Sequence, residues 1–118
     1  MVDSRHSSIT ITSGVLVHRP RPGMGRVTTA GGVESGARGL AMDLAPIRAN
    51  SVVLGAIQTP LLDDLIQGRT AVADMIAQRT LLKTIGSAAE SAEAYLYCMR
   101  CAYVTGSRID VEGGWLLV

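Results

Sequence analysis

One stretch, Gly36 to Leu62, constrains the fold more than any other. Its centre is Ser51-Val52-Val53-Leu54, a short, uncharged run with adjacent β-branched residues. A strand with no polar face must be covered on both sides, as a central strand of a parallel sheet is. Upstream, Leu40, Ala41, Leu44 and Ile47 fall at helical spacing and give one apolar face. Pro46 stops that helix, because it disfavours helical geometry at Ala45 and carries no N–H. Gly55 ends the strand. Helix, turn, buried strand and glycine in that order predict an α/β fold. Ligands of open α/β sheets sit beyond the carboxyl ends of the strands. The loop Gly55-Ala56-Ile57-Gln58-Thr59-Pro60 lies at that edge.

The rest of the chain reads as further elements of one domain spanning 1–118, with residues 1–7 flexible. Ile9 and Ile11 alternate with Thr10 and Thr12, which predicts a strand from Ser8 to Ser13. Residues 14–25 carry three glycines with Pro20 and Pro22, and read as a loop. Thr28 or Thr29 caps a helix that runs to about Ala45. Gly31, Gly32, Gly36 and Gly39 inside it cost up to about 1 kcal/mol each relative to alanine. Close packing against a partner is the reason to carry them. Residues 61–84 are helical in composition, interrupted by Gly68. Ser87 and Glu90 form a capping box for a helix with Ala92, Ala94, Tyr95, Leu96 and Met99 on its buried side. Thr105-Gly106 turns into a strand at Arg108 to Val111.

Charge and cysteine usage exclude several classes. A formal net charge of +1 gives no basis for binding nucleic acid or an anionic membrane. No apolar run reaches the roughly 20 residues that span a bilayer. The start lacks a signal-peptide core, and two cysteines make no disulfide framework, so the cytoplasm is the expected location. Cys98-Met99-Arg100-Cys101 falls at a helix end, whereas redox pairs sit at helix starts; no second pair completes a zinc site, so no metal is expected. His6 and His18 are isolated, and Asp63-Asp64 reads as a solvated helix face.

Several motifs together resemble one family. Leu40-Ala41-x-Asp43-Leu44-Ala45-Pro46-Ile47-Arg48-x-Asn50, then Gly55-x-Ile57-x-Thr59-Pro60, is similar to the second half of a short-chain dehydrogenase/reductase. Tyr103-Val104-Thr105-Gly106 and Ile109-Asp110-Val111-Glu112-Gly113-Gly114 resemble that family's last strand and terminal loop. Ser8 to Gly14 resembles the strand that delivers its catalytic serine, and the likeness runs from about residue 8 to the C-terminus. The resemblance implies part of a parallel Rossmann-like sheet, NADP or NAD as cofactor, and a small-molecule substrate. It implies that Ser13 orients the substrate, that Gly55 and Ile57 offer backbone groups to the nicotinamide carboxamide, and that Thr59 lies near the nicotinamide or the pyrophosphate. Thr59 also suits the cap of a helix starting at Pro60. The family's proline before that glycine is Leu54 here.

Two family features are missing from the pattern. The strand, glycine-rich turn and helix that hold a dinucleotide pyrophosphate precede this half of the fold. Gly23-Met24-Gly25-Arg26-Val27-Thr28 has two of the fingerprint glycines but no strand running into it, and reads as a loop. The family's catalytic tyrosine follows the serine by about thirteen positions and is the general acid/base, with a lysine four residues on. Those positions hold Arg26 and Ala30. Arginine stays charged and can polarise an oxygen but not give up a proton. The pattern resembles a divergent, NADPH-using branch with a degenerate tetrad, found among microbial biosynthetic enzymes.

The implied function is therefore an NAD(P)-linked oxidoreductase of secondary metabolism, truncated and catalytically impaired. The alternatives are a non-catalytic interaction or dimerisation subunit, or a fragment of a longer atypical NADPH-dependent reductase. In the family the helix matching 28–45 pairs with its symmetry mate, which implies a homo-oligomer or pairing with a full-length relative. With the first strands of the family's sheet missing, strand 51–54 is expected to keep apolar faces uncovered, and strand 8–13 an open edge.

Overall fold

The computed structural model describes residues 2–25 and 29–118. Strand β1 (Ser8–Gly14) leads through a 3-10 turn (Val15–Val17) toward helix α1 (Thr29–Asp43), and strand β2 (Arg48–Leu54) follows. A short strand β3 (Ile57–Gln58), helices α2 (Pro60–Ile66) and α3 (Thr70–Gln78) and a short strand β4 (Gly86–Ser87) come next. Helix α4 (Ala88–Arg100), strand β5 (Arg108–Val111) and a 3-10 turn (Trp115–Leu117) complete the order.

The main sheet is parallel, in the order β1-β2-β5. Thr12, Val52 and Ile109 lie side by side, as do Ser13, Val53 and Asp110. Successive side chains alternate between faces. The first row meets α4, where Val52 packs with Ala94 and Cys98 and Thr12 hydrogen-bonds Tyr95 at 2.7 Å. The second row faces α1, from which Glu34 reaches Ser13. Val53 on that side joins Val15 and Trp115 in a second apolar cluster. Each buried valine is worth about 1.5–3 kcal/mol.

The strand expected at Ser51 begins three residues earlier, and Arg48 to Val53 are all buried. Its faces are covered within this chain, so the expectation of uncovered apolar faces is corrected. Two of the three extra residues, Arg48 and Asn50, are polar, and the connection from α4 to β5 satisfies most of their groups. Asn50 Nδ2 donates to Val104 O (3.1 Å), and Asn50 Oδ1 accepts from Ser107 N–H (3.1 Å). The Arg48 guanidinium donates to the carbonyls of Arg5, Cys98, Met99 and Val104. That contact with Arg5 ties the N-terminal residues, read above as flexible, to the core. Strand β1 does lie at an edge of the sheet.

Two helices differ from their expected form. The helical composition of 61–84 ends at Gln78, and Thr80 then turns the chain, its hydroxyl donating to Ala77 O at 2.9 Å. Helix α4 buries Ser91, Ala94 and Cys98, while Met99 is 55% exposed and Ala92 also faces out. The stripe that the sheet covers is i, i+3, i+7 from Ser91, one residue away from the more hydrophobic neighbours. The capping box is present: Ser87 N–H donates to Glu90 Oε2 (2.7 Å) and Glu90 N–H to Ser87 Oγ (3.1 Å). The Ser87 backbone N–H, and after it the Ser87 hydroxyl donating to Glu90 Oε2 (2.9 Å), hold the Glu90 carboxyl below its ordinary pKa. Cys98 and Cys101 are free, and burial pushes the Cys98 thiol up, away from the reactive thiolate.

Candidate functional site

The carboxyl end of β1 brings Ser13 to the sheet edge, 5% exposed. Gly14 ends the strand, and the 3-10 turn that follows carries the chain to His18. Glu34 lies one helical turn beyond Ala30 on α1. Ser13 Oγ donates to Glu34 Oε2 at 3.0 Å and approaches Ala30 O at 3.5 Å. His18 Nε2 lies 3.0 Å from the same Glu34 oxygen. From the edge strand β5, Arg108 Nη1 stands 3.7 Å from Glu34 Oε1 and 3.3 Å from His18 Nε2. Its Nη2 donates to Asp110 at 2.8 Å, and this bond is the main reason its pKa is raised.

Glu34 is thus the hub of a polar cluster drawn from three elements, with its side chain 15% exposed. A cleft of about 390 Å³ opens beside it, lined by Glu34, Arg38, Ser51 and Arg108 among others. The chemistry of Ser13 follows from its single hydroxyl proton. With that proton given to Glu34, Ser13 Oγ is left as an acceptor. In this arrangement it can hold a ligand hydroxyl, and must break the Glu34 bond to donate to a carbonyl oxygen.

The loop after β2 adjoins this edge, since Gly14 pairs beside Leu54. Gly55 N–H donates to Val111 O (2.9 Å), and a Cβ on Gly55 would fall 2.8 Å from Glu112 Cα. Ile57 is buried and pairs with Gly86 in the second sheet. Thr59 Oγ1 accepts from Leu62 N–H (3.4 Å) and donates to Ile57 O (3.2 Å), so it caps α2 with Pro60 in the first turn. Arg26 lies outside the described residues. Gly23 turns with φ +81°, and no strand enters the Gly23-Met24-Gly25 loop among the described residues.

The structure joins Ser13 to two residues that the sequence reading left out or set aside. Glu34 carried a signal: it falls four residues after Ala30, hence on the same helical face. His18 carried none, because its position depends on a turn inside a proline-glycine loop. Among the described residues, no cluster of three or more histidine, cysteine or acidic side chains could hold a metal ion, and no helix is long and apolar enough to cross a membrane.

With this geometry in place, comparison with known proteins gives one family. A family model described as enoyl-(acyl carrier protein) reductase matches residues 1–116. The short-chain dehydrogenase/reductase malC of Malbranchea aurantiaca is 39% identical over 113 residues, covering 94% of this chain and 43% of that protein. The structure of MalC reductase/Diels-Alderase from the same organism superposes with a TM-score of 0.92 at 37% identity, covering 98% of this chain and 45% of that one. An NADPH-bound short-chain oxidoreductase from Pseudomonas aeruginosa PAO1, described as containing an atypical catalytic center, superposes at 0.81 with 27% identity. It is covered over 46% of its length, and 92% of this chain is matched. The chain therefore spans less than half the length of each of these relatives.

Proposed function

The chain belongs to the short-chain dehydrogenase/reductase family, and from that premise we propose that it forms the substrate-side half of an NAD(P)-linked oxidoreductase site. Its substrate is a small molecule of secondary metabolism, its setting the cytoplasm. The observation that carries the reading is Ser13, buried at the carboxyl end of β1 and held by Glu34 beside the first turns of α1. In this reading Ser13 orients the substrate oxygen. Arg26, at the usual tyrosine position, polarises that oxygen without supplying a proton. Gly55, Ile57 and Thr59 border the nicotinamide.

A whole dinucleotide does not fit the described residues. The Gly55 N–H is engaged by Val111 and the Thr59 hydroxyl caps a helix. Among the described residues no strand feeds the glycine loop at 23–25. Calorimetric titration of this chain with NADPH should give binding weaker than micromolar, that is, weaker than about −8 kcal/mol. A micromolar or tighter constant would show that some other loop replaces the pyrophosphate turn.

A second reading, an interaction subunit, rests on the outer side of α1. A Cβ at Gly32, Gly36 or Gly39 would meet nothing within 4 Å, and Met42 nearby is 82% exposed. A helix of another copy or of a full-length relative can approach closely there, beside the open edge of β1. Light scattering at low micromolar concentration should report species heavier than the 12.4 kDa monomer. A monodisperse monomer with a cooperative melt refutes that reading.

A further inference from the structure

A cavity of about 650 Å³ opens between the loop after β1 and the turn after α3. Its walls carry Arg19, Arg21, Arg79 and Lys83, together with Trp115 and Val118. Four cations in one cavity stand out in a chain whose formal net charge is +1. Arg21 stacks on Trp115, with its guanidinium carbon 4.8 Å from the ring centroid. The Lys83 ammonium donates to the Gln78 carbonyl at 2.7 Å. Among the described residues the ion pairs lie elsewhere, at His18, Glu34, Arg108 and Asp110. Among the described residues no acidic side chain lines the wall, which leaves a surplus of positive charge.

We propose that this cavity is a subsite for a multiply charged oxyanion, such as a phosphate ester or a polycarboxylate carried by the substrate. Like charges held together repel, and a bound anion converts that repulsion into attraction. Guanidinium groups suit planar, two-point contact with carboxylate or phosphate oxygens. Pro20 and Pro22 fix φ beside Arg19 and Arg21, so two of the cations stand on a stiffened segment. Trp115 is 7% exposed, so the ring serves as a platform for Arg21 rather than as a stacking surface for the ligand. The inference rests on the oxidoreductase reading only in calling the anion part of a substrate; anion binding stands on the cavity alone.

Trp115 is the single tryptophan of the chain and lies in the cavity wall, so its emission reports on the site without any turnover. The test titrates this chain with pyrophosphate and, separately, with citrate, at constant ionic strength maintained with potassium chloride. A saturable change in emission is expected with at least one of them. Pyrophosphate alone would identify a phosphate ligand, citrate alone a carboxylate, and both the shared oxyanion chemistry. The variant Arg19→Gln/Arg79→Gln should weaken that binding at least tenfold, with its circular dichroism unchanged. Arg79→Gln alone should weaken it at least threefold, and Arg100→Gln, at the end of α4, should leave it unaltered. Absence of saturation with both probes, or equal affinity in the double variant, would overturn the proposal. Because no cofactor enters this measurement, its failure is separate from that of the NADPH titration.

Discussion

Replacing Arg48 with leucine should remove several kcal/mol of stability and lower the urea midpoint sharply. Arg48 is 3% exposed, and its guanidinium donates to four backbone carbonyls. Val104 O keeps a bond from Asn50. The loss falls on Arg5, Cys98 and Met99. The last two are end carbonyls of α4, which have no partner inside the helix. The bond to Cys98 O is buried, and that acceptor left unpaired costs about 1–3 kcal/mol; the bonds to Arg5 O and Met99 O are part-buried, where water can reach, and cost less. A small domain has only about 5–15 kcal/mol in all. The cation also faces the negative end of the α4 dipole, which leucine cannot do. Arg48→Lys should recover part of the loss, since an ammonium is a compact donor and cannot span the same acceptors. Urea denaturation followed by circular dichroism is the measurement. A leucine variant within about 1 kcal/mol of the parent would mean that water replaces the guanidinium at these carbonyls.

Substituting Gly55 should cost less than Arg48 but still move the site. An alanine Cβ would lie 2.8 Å from Glu112 Cα and 3.3 Å from its carbonyl oxygen. The obstacle is backbone, which cannot rotate away. Overpacking of this kind costs about 1–3 kcal/mol for a methyl group. Valine at this position should cost more. The displacement has a route onward. The Glu112 carboxylate accepts from Gly114 N–H (3.2 Å) and Leu116 N–H (2.8 Å), and Glu112 O accepts from Trp115 N–H (3.2 Å). Glu112 thereby holds the turn that carries Trp115. Gly55→Ala should lower the melting temperature and shift Trp115 emission together, and Gly55→Val should do both more strongly. A fall in stability with Trp115 emission unchanged would show that Glu112 does not transmit the push.

The order of elements was legible because it rests on local rules. Pro46 closing a helix, the β-branched run after it, and the Ser87–Glu90 pair at a helix start each act within a few residues. The family resemblance drew on the same local spacing, which is why Ser13 could be placed at a strand end. The edge position of β1 followed from the same likeness. What lay beyond reach involved contacts far apart in sequence. Arg48 and Asn50 read as motif letters, and only the path from α4 to β5 shows them as the clamp of the sheet. On α4, Ala94 and Tyr95 lie on the buried side as expected, but Ser91 and Cys98 take the places of Ala92 and Met99, because the sheet rather than hydrophobicity chose which side faces inward. His18 looked isolated until the turn at 15–17 carried it to Glu34.

By itself, then, the sequence determined the α/β alternation and the family. Turn chemistry, hydrophobic period and residue type are properties of short segments, and need no folded neighbour to be read. Only the tertiary structure decided that β2 is closed on both faces, that the Ser13 hydroxyl donates a hydrogen bond to Glu34, and that four cations from two distant segments line one cavity. Each of those depends on where separate elements stop along the sheet, and such distances are set by packing of the whole core.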